Sequence, residues 1–381
     1  MSTTPYDDIR PYTDAEVPAA VARLAQGELF ALIEAHLFAP EQHPALRQQL
    51  LQARTVADFQ RGIVRTLFDA VAQRTMQELT HSGLDLIDTS RPHLYLANHR
   101  DIVLDSVLLM YHLLNVGLDT AEITFGSNLM QTPDIIDFGR LNKMFRFMRS
   151  SSSTSRELLA MSRQNSDYMR HAIVEKGHSV WLAQRNGRTK NGDDRTDVGV
   201  LKMLAMSSPQ PSMAQTLAPL SIVPVCVSYE FEPCDFLKTR ELYLSRRQRY
   251  EKSPGEDLNS MVQGIMRPKG RVHLAVCQPI GDALLAQCSQ LRPNEGYRML
   301  AHTIDQRMHA AYRLWPNNYI AHDWLHNAHT HAQGYTPQQR EHFEAYIRQG
   351  IEQLEGDAQE LLQIALGIYA SPVDNAPDGS E

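Results

Sequence analysis

The segment Leu94-Tyr95-Leu96-Ala97-Asn98-His99-Arg100-Asp101-Ile102-Val103-Leu104-Asp105-Ser106 runs an apolar stretch into a histidine followed by two carboxylates. A neutral imidazole accepts a hydroxyl proton, and a carboxylate beside it fixes the tautomer and stabilises the imidazolium. Strand ends that open into helices are where α/β sheets place their sites. The plainer alternative makes His99 a structural loop residue and Asp101 a helix N-cap.

Three further segments carry candidate binding groups. In Arg140-Leu-Asn-Lys143-Met-Phe145-Arg146-Phe147-Met148-Arg149-Ser150, cations interleave with Phe and Met. That pattern suits a phosphate beside an acyl chain or a membrane-facing surface, and equally a solvated basic edge. Ser179–Gln184 followed by Arg185-Asn186-Gly187-Arg188-Thr189-Lys190 reads as a strand ending in a cationic turn with a Gly for positive φ. It is no P-loop, since neither GxxxxGK[ST] nor GxGxxG occurs. Ile222-Val223-Pro224-Val225-Cys226-Val227-Ser228-Tyr229-Glu230 is an apolar strand without chemistry of its own.

One motif reads as a distractor. His322-Asp323-Trp324-Leu325-His326 puts two histidines on one helix face, as zinc ligands are, with His329 and His331 following. Asp323 replaces the long general-base Glu, and no third ligand can be named from the sequence. The expectation is therefore surface histidines and no metal site.

The elements that position these groups are legible in outline. Residues 1–85 read as a helical N-terminal module without strands. Thr13-Asp14-Ala15-Glu16 is a capping box, and Thr55–Ser82 repeats apolar residues at helical spacing. Residues 86–314 alternate short apolar runs with helical stretches, which predicts an α/β core with a mixed, mostly parallel sheet flanked by helices. Strands are expected at His93–Ala97, Glu122–Gly126, Ser179–Gln184, Ser221–Phe231 and Arg271–Gln278, with Pro224 at an edge or bulge. Residues 315–370 are expected to be C-terminal helices, Trp315-Pro316 ending one helix and Thr336-Pro337 starting another. Residues 371–381 read as a frayed tail, and Ser150–Ser153 is the only low-complexity piece.

Composition narrows the function classes. With 37 Lys plus Arg against 44 Asp plus Glu, the net charge is −7, which argues against nucleic acid as a partner. The four cysteines form no CxxC pair and read as reduced, buried thiols; no secretory signal is visible at the N-terminus. The most apolar window, Ile102–Leu118, holds Asp105, Ser106, His112 and Asn115 and reads as a buried helix rather than a membrane span. The expectation is a cytoplasmic protein, peripheral to the inner face of the membrane.

In order and spacing, the four segments resemble the four motif blocks of the glycerolipid acyltransferases, which acylate glycerol 3-phosphate or lysophosphatidic acid. Asn98-His99-Arg100-Asp101-Ile102-Val103-Leu104-Asp105 is similar to their NHxxxxD block. Phe147-Met148-Arg149 resembles the second block, Leu182–Arg188 stands in place of the FPEGTR block, and Ile222-Val223-Pro224-Val225 with Tyr229-Glu230 is similar to the fourth. The likeness spans residues 93 to 235, and the whole chain resembles a bacterial 1-acylglycerol-3-phosphate acyltransferase branch with a helical N-terminal module. It implies catalysis by His99 with Asp105, or with Asp101 in its place. Five residues separate His99 from Asp105 where the family has four, which turns a helical side chain by about 100°. A looser first turn or a different partner is then required, and the N-cap position of Asp101 favours Asp105. Substrate-binding residues are expected at Asn98, Arg100, Lys143, Arg149, Arg185, Asn186, Gly187, Arg188, Pro224 and Tyr229. Asn186 stands where the family has Glu, which leaves the acceptor open.

The implied reaction moves a fatty acyl group from acyl-CoA or acyl-carrier protein to a hydroxyl of a glycerol-phosphate or lysophospholipid-like acceptor at a membrane surface. The oxyanion would need donors, from backbone N–H groups near Asn98 or Gly187. No metal or bound cofactor is required. Two rivals remain: acylation of another acceptor, such as an amino-acid lipid or amine, and a catalytically inactive lipid-binding protein on the same fold.

Overall fold

The computed structural model describes residues 5–149, 154–208 and 210–377; the Ser150–Ser153 run lies outside them. Seven strands form one sheet: β1 (Met76–Ser82), β2 (Leu94–Ala97), β3 (Glu122–Gly126), β4 (Met144–Phe147), β5 (Val180–Ala183), β6 (Ile222–Tyr229) and β7 (Gly270–Val276). Their order is β1-β7-β6-β2-β5-β3-β4. β6, β2, β5, β3 and β4 are mutually parallel; β7 runs antiparallel to β6, and β1 lies parallel to β7. The sheet is thus mixed and mostly parallel, with helices on both faces, as the sequence predicts.

Side-chain alternation sorts the strands between two cores. Tyr95, Ala97, Ile123, Phe125, Trp181, Ala183, Val223, Val225 and Tyr229 point to one face, packed under N-terminal helices, Leu104–Asn115 and Pro133–Leu141. Leu94, Leu96, Val180, Leu182, Ile222 and Cys226 point to the other, under Ser155–Arg170, Val198–Leu204 and Pro293–Ala311. A third core joins Asp235–Ser245 to the C-terminal helices Pro316–Leu325, Pro337–Ile351 and Ala358–Asn375. The four cysteines are free and buried. Among the described residues no helix is long and apolar enough to cross a membrane.

All five expected strands form, and two more were not expected. β1 lies where the N-terminal module was read as strand-free. Met76 and Leu79 do repeat at helical spacing, but the helix stops at Thr75 and the chain pairs in parallel with β7 from Met76 onward. Gly83, at φ +72°, ends the strand where a Cβ would lie 2.0 Å from the Val276 carbonyl. β4 is an edge strand whose exposed Arg146 made it read as a basic surface.

Pro224 is not at an edge, because β6 is interior. It sits just beyond the Val225–Val276 end of the β6–β7 pairing, where its carbonyl accepts from the Cys277 N–H at 2.9 Å. Trp315-Pro316 opens a helix rather than closing one, since the preceding helix ends at Ala311. The final helix carries Pro372 inside it and continues to Asn375, so residues 371–375 are helical where a tail was expected. Asp357, whose side chain accepts from the Glu360 N–H, caps its start.

Candidate active site

The C-terminal ends of β2, β5 and β3 open onto one cleft. His99 follows β2 by two residues, in register with the side chains that face the N-terminal helices. The extra residue between His99 and Asp105 is absorbed before the helix: residues 100–103 form an irregular turn, and regular helix begins only at Leu104. This loosened turn brings Asp105 Oδ2 to 3.0 Å from His99 Nδ1. The same oxygen accepts from the backbone N–H groups of Arg100 (2.7 Å) and Asp101 (2.9 Å), while Oδ1 accepts from the Tyr229 hydroxyl at 2.8 Å.

The carboxylate is thus held in one orientation by three groups besides the histidine. A carboxylate only accepts, so Nδ1 carries the hydrogen and Nε2 keeps the lone pair in the neutral ring. Burial, and then the charge of Asp105, push the Tyr229 hydroxyl well above its ordinary range, so it stays a donor. Trp181 meets the His99 ring edge-on at 5.8 Å and walls it from one side.

Asp101 does not face His99. Its Oδ1 accepts from the N–H groups of Val103 and Leu104, both at 2.8 Å, and so holds the entry to the helix. Of the two candidate partners, the structure brings Asp105 to the imidazole.

The cleft is lined by His99, Ile102, Thr124-Phe125-Gly126, Asn128, Leu129, Arg149, Trp181, Ala183, Gly187, Arg188, Lys252 and Asp257. Arg149 Nε and Arg188 Nη1 are buried without a hydrogen-bond partner among the described residues. Burial holds the Arg149 guanidinium below its ordinary range, against the opposing pull of Asp257. Desolvated donors with no protein acceptor favour an anionic ligand. Lys252 is paired with Asp257, to which Asn128 also donates. Gly187 reaches the cleft with a left-handed backbone, φ +79°.

Several residues expected to bind substrate lie elsewhere. Asn98 is buried and clamps β6: its Nδ2 donates to Asp194 and to the Val227 carbonyl, and its Oδ1 accepts from the Val227 N–H at 2.8 Å. The Asn98 N–H is taken by the Val225 carbonyl, so it is not an oxyanion donor. Arg100 is buried against Asp194 (2.9 Å) and Glu232 (3.1 Å), and Lys238 bridges Glu232 to the Arg100 carbonyl. That closed group of two cations and two anions fixes the backbone around His99. Lys143 sits at the N-terminal end of β4, on the opposite rim of the sheet, bound to Asp119 at 2.8 Å. Pro224 is inside a buried strand, Asn186 is exposed outside the cleft, and Arg185 is not among the cleft's lining residues. Tyr229 donates to Asp105 and is not among the cleft's lining residues.

A second space adjoins the cleft. An apolar cavity of about 240 Å³ lies between the N-terminal helices, Val103-Leu104, Val107 and the helix Glu256–Met266. Phe125 lines both spaces. Sequence reasoning missed this cavity, along with Asn128, Trp181, Lys252, Asp257 and the supporting Asp194. These five residues are scattered between positions 128 and 257, and only Trp181 lies in a segment that the sequence singles out.

Fold and site together define an α/β protein with a His–Asp pair at the C-terminal mouth of a mostly parallel sheet. No family model matches the sequence, and no curated protein matches it. Among solved structures, the chain is similar to the 1-acyl-sn-glycerophosphate (LPA) acyltransferase PlsC of Thermotoga maritima, with a TM-score of 0.35 and 9% identity over 77% of this chain and 94% of that one. Similarity at that level bears no weight on function, which rests on the geometry.

Proposed function

We propose that this chain is an acyltransferase that moves a fatty acyl group from an acyl thioester, acyl-CoA or acyl-carrier protein, to a hydroxyl of a glycerol-phosphate or lysophosphatidic-acid-like acceptor. The observation that carries the reading is the His99–Asp105 pair at 3.0 Å, in a cleft that it shares with Arg149 and Arg188, of which Arg149 Nε and Arg188 Nη1 are buried without a hydrogen-bond partner among the described residues. His99 Nε2 takes the acceptor's hydroxyl proton, and the alkoxide attacks the thioester carbonyl. The tetrahedral intermediate collapses, the C–S bond breaks, and the thiolate leaves and recovers the proton from the imidazolium. Asp105 offsets the imidazolium charge throughout.

Arg149 and Arg188 supply the donors for a phosphate, either the acceptor's or that of CoA. The apolar cavity, reached past Phe125, takes the acyl chain. Leu32, Leu258 and Val262 line that cavity and are 48%, 48% and 38% exposed, so its rim offers aliphatic surface to a bilayer. This supports work at a membrane surface in phospholipid synthesis. The altered His-to-Asp spacing, which favoured an inactive binder, is absorbed by the 100–103 turn.

The test is thiol release from palmitoyl-CoA by the intact protein, with and without lysophosphatidic acid. Acceptor-dependent release supports the proposal. Release that ignores the acceptor indicates a thioesterase, and no release with CoA or carrier-protein donors across several acceptors indicates a binding protein.

A further inference from the structure

The histidine pair that the sequence leaves without a third ligand gains one from the last helix. His322 and His326 sit at the end of Pro316–Leu325, their rings 4.6 Å apart, and Asp374 reaches them from Ala358–Asn375. One ligand atom from each of the three residues lies within 4.8 Å of the others. His322 Nε2 is 3.3 Å from Asp374 Oδ1. The other nitrogen, Nδ1, is buried without a hydrogen-bond partner among the described residues and lies 3.9 Å from Asp323 Oδ1.

Asp323 is itself fixed, accepting from the His331 N–H at 3.2 Å and from the Tyr335 hydroxyl at 2.8 Å. A metal-bound imidazole almost always turns its second nitrogen to a carboxylate, carbonyl or water, which sets the tautomer and raises its basicity. Asp323 is the carboxylate on that side of the ring, at 3.9 Å and so beyond hydrogen-bond distance in the metal-free geometry. The residue that disqualifies the segment as a metalloprotease motif thus suits it as a support for a ligand.

We propose that His322, His326 and Asp374 form a binding site for a divalent transition-metal ion of the Zn²⁺ type, with Asp323 orienting His322. Two imidazoles and a carboxylate form a borderline nitrogen/oxygen donor set that fits Zn²⁺ with water in the remaining position. None of these residues lines the cleft at His99, so the ion's role is structural. It ties the C-terminal helix to Pro316–Leu325, elements that also meet through the Asn318 Nδ2 donation to the Tyr369 carbonyl at 2.8 Å and through a core that includes Ile320, Ile368 and Tyr369. Sequence separation hid the site, because Asp374 lies 48 residues beyond His326.

The experiment is calorimetric titration of ZnCl₂ into the tag-free full-length chain, paired with thermal melts in Zn²⁺ and in chelator. One ion is expected per chain. Asp374→Asn and His326→Ala, both at exposed positions, are each expected to weaken binding at least about tenfold and to abolish the Zn²⁺-dependent rise in melting temperature. His329→Ala, outside the cluster, is expected to leave both unchanged. No binding by the intact chain at micromolar Zn²⁺, or binding that Asp374→Asn and His326→Ala retain in full, would overturn the proposal. Neither result depends on the acyltransferase reading.

Discussion

Replacing Asp105 and Asp101 separately by Asn distinguishes a catalytic pair from a coincidental one. In Asp105→Asn the amide oxygen can keep the bonds from the Arg100 and Asp101 N–H groups and from His99 Nδ1. The new NH₂ can then donate to the Tyr229 oxygen, so the geometry survives and only the charge is lost. A full charge 3.0 Å from the imidazolium interacts by roughly 5 kcal/mol at an effective dielectric constant of about 20. The neutral hydrogen bond that remains retains part of this, so about 2–3 kcal/mol of transition-state stabilisation should disappear. That corresponds to a fall of roughly 30- to 200-fold in kcat, with KM little changed. Asp101→Asn keeps its Oδ1 on Val103 and Leu104 and should stay within about threefold of the parent, an effect under 1 kcal/mol. The assay is acceptor-dependent thiol release from palmitoyl-CoA under saturating substrate. Equal losses in the two variants, or full activity in Asp105→Asn, would refute this assignment.

Other consequences follow from the same geometry. Arg149→Ala removes a desolvated guanidinium and should raise KM for a phosphate-bearing acceptor about ten- to hundredfold, the worth of a charge-assisted hydrogen bond, while a phosphate-free acceptor should show no such change. Val107→Phe projects into the apolar cavity and should shift the donor preference from palmitoyl-CoA towards octanoyl-CoA, read as the ratio of the two kcat/KM values. His112 and His273 are buried neutral, with pKa values lowered to about 4, chiefly by desolvation. The unfolded chain binds those protons from about pH 6.5 downward and the native state does not. Their contribution is therefore fully present above about pH 6.5 and is lost as pH falls towards 4, by roughly 2–3 kcal/mol for each group. Urea unfolding across that range measures it, and His112→Gln should flatten the profile; an unchanged profile in the variant would contradict the assignment.

The sequence carried the middle of the sheet well and its edges poorly. β2, β3, β5, β6 and β7 are apolar runs, three of them buried throughout and the other two at all but one residue, and burial on both faces leaves a pattern that is hard to misread. β1 and β4 are half-exposed edges, so Glu78 and Arg146 break the apolar run, and pairing partners decide the structure. The same divide runs through the site. His99, Asp105 and Arg188 fall in or beside local motifs, and Arg149 ends the Phe147-Met148-Arg149 segment two residues past β4. Asn98 and Arg100 share the first motif yet point into the protein, because Asp194, Glu232 and Val227 arrive from distant segments to hold them. Proximity in sequence placed these residues near the cleft; only the tertiary partners separate His99 from its supports.

The central claim is that His99 is the base for acyl transfer to a hydroxyl. The direct measurement is mass-spectrometric detection of the doubly acylated product from palmitoyl-CoA and lysophosphatidic acid, comparing the intact protein with His99→Ala, with circular dichroism confirming that both are folded. The account predicts product from the intact protein and a loss of at least about 10³-fold in the folded variant. Product formation undiminished in His99→Ala would contradict it.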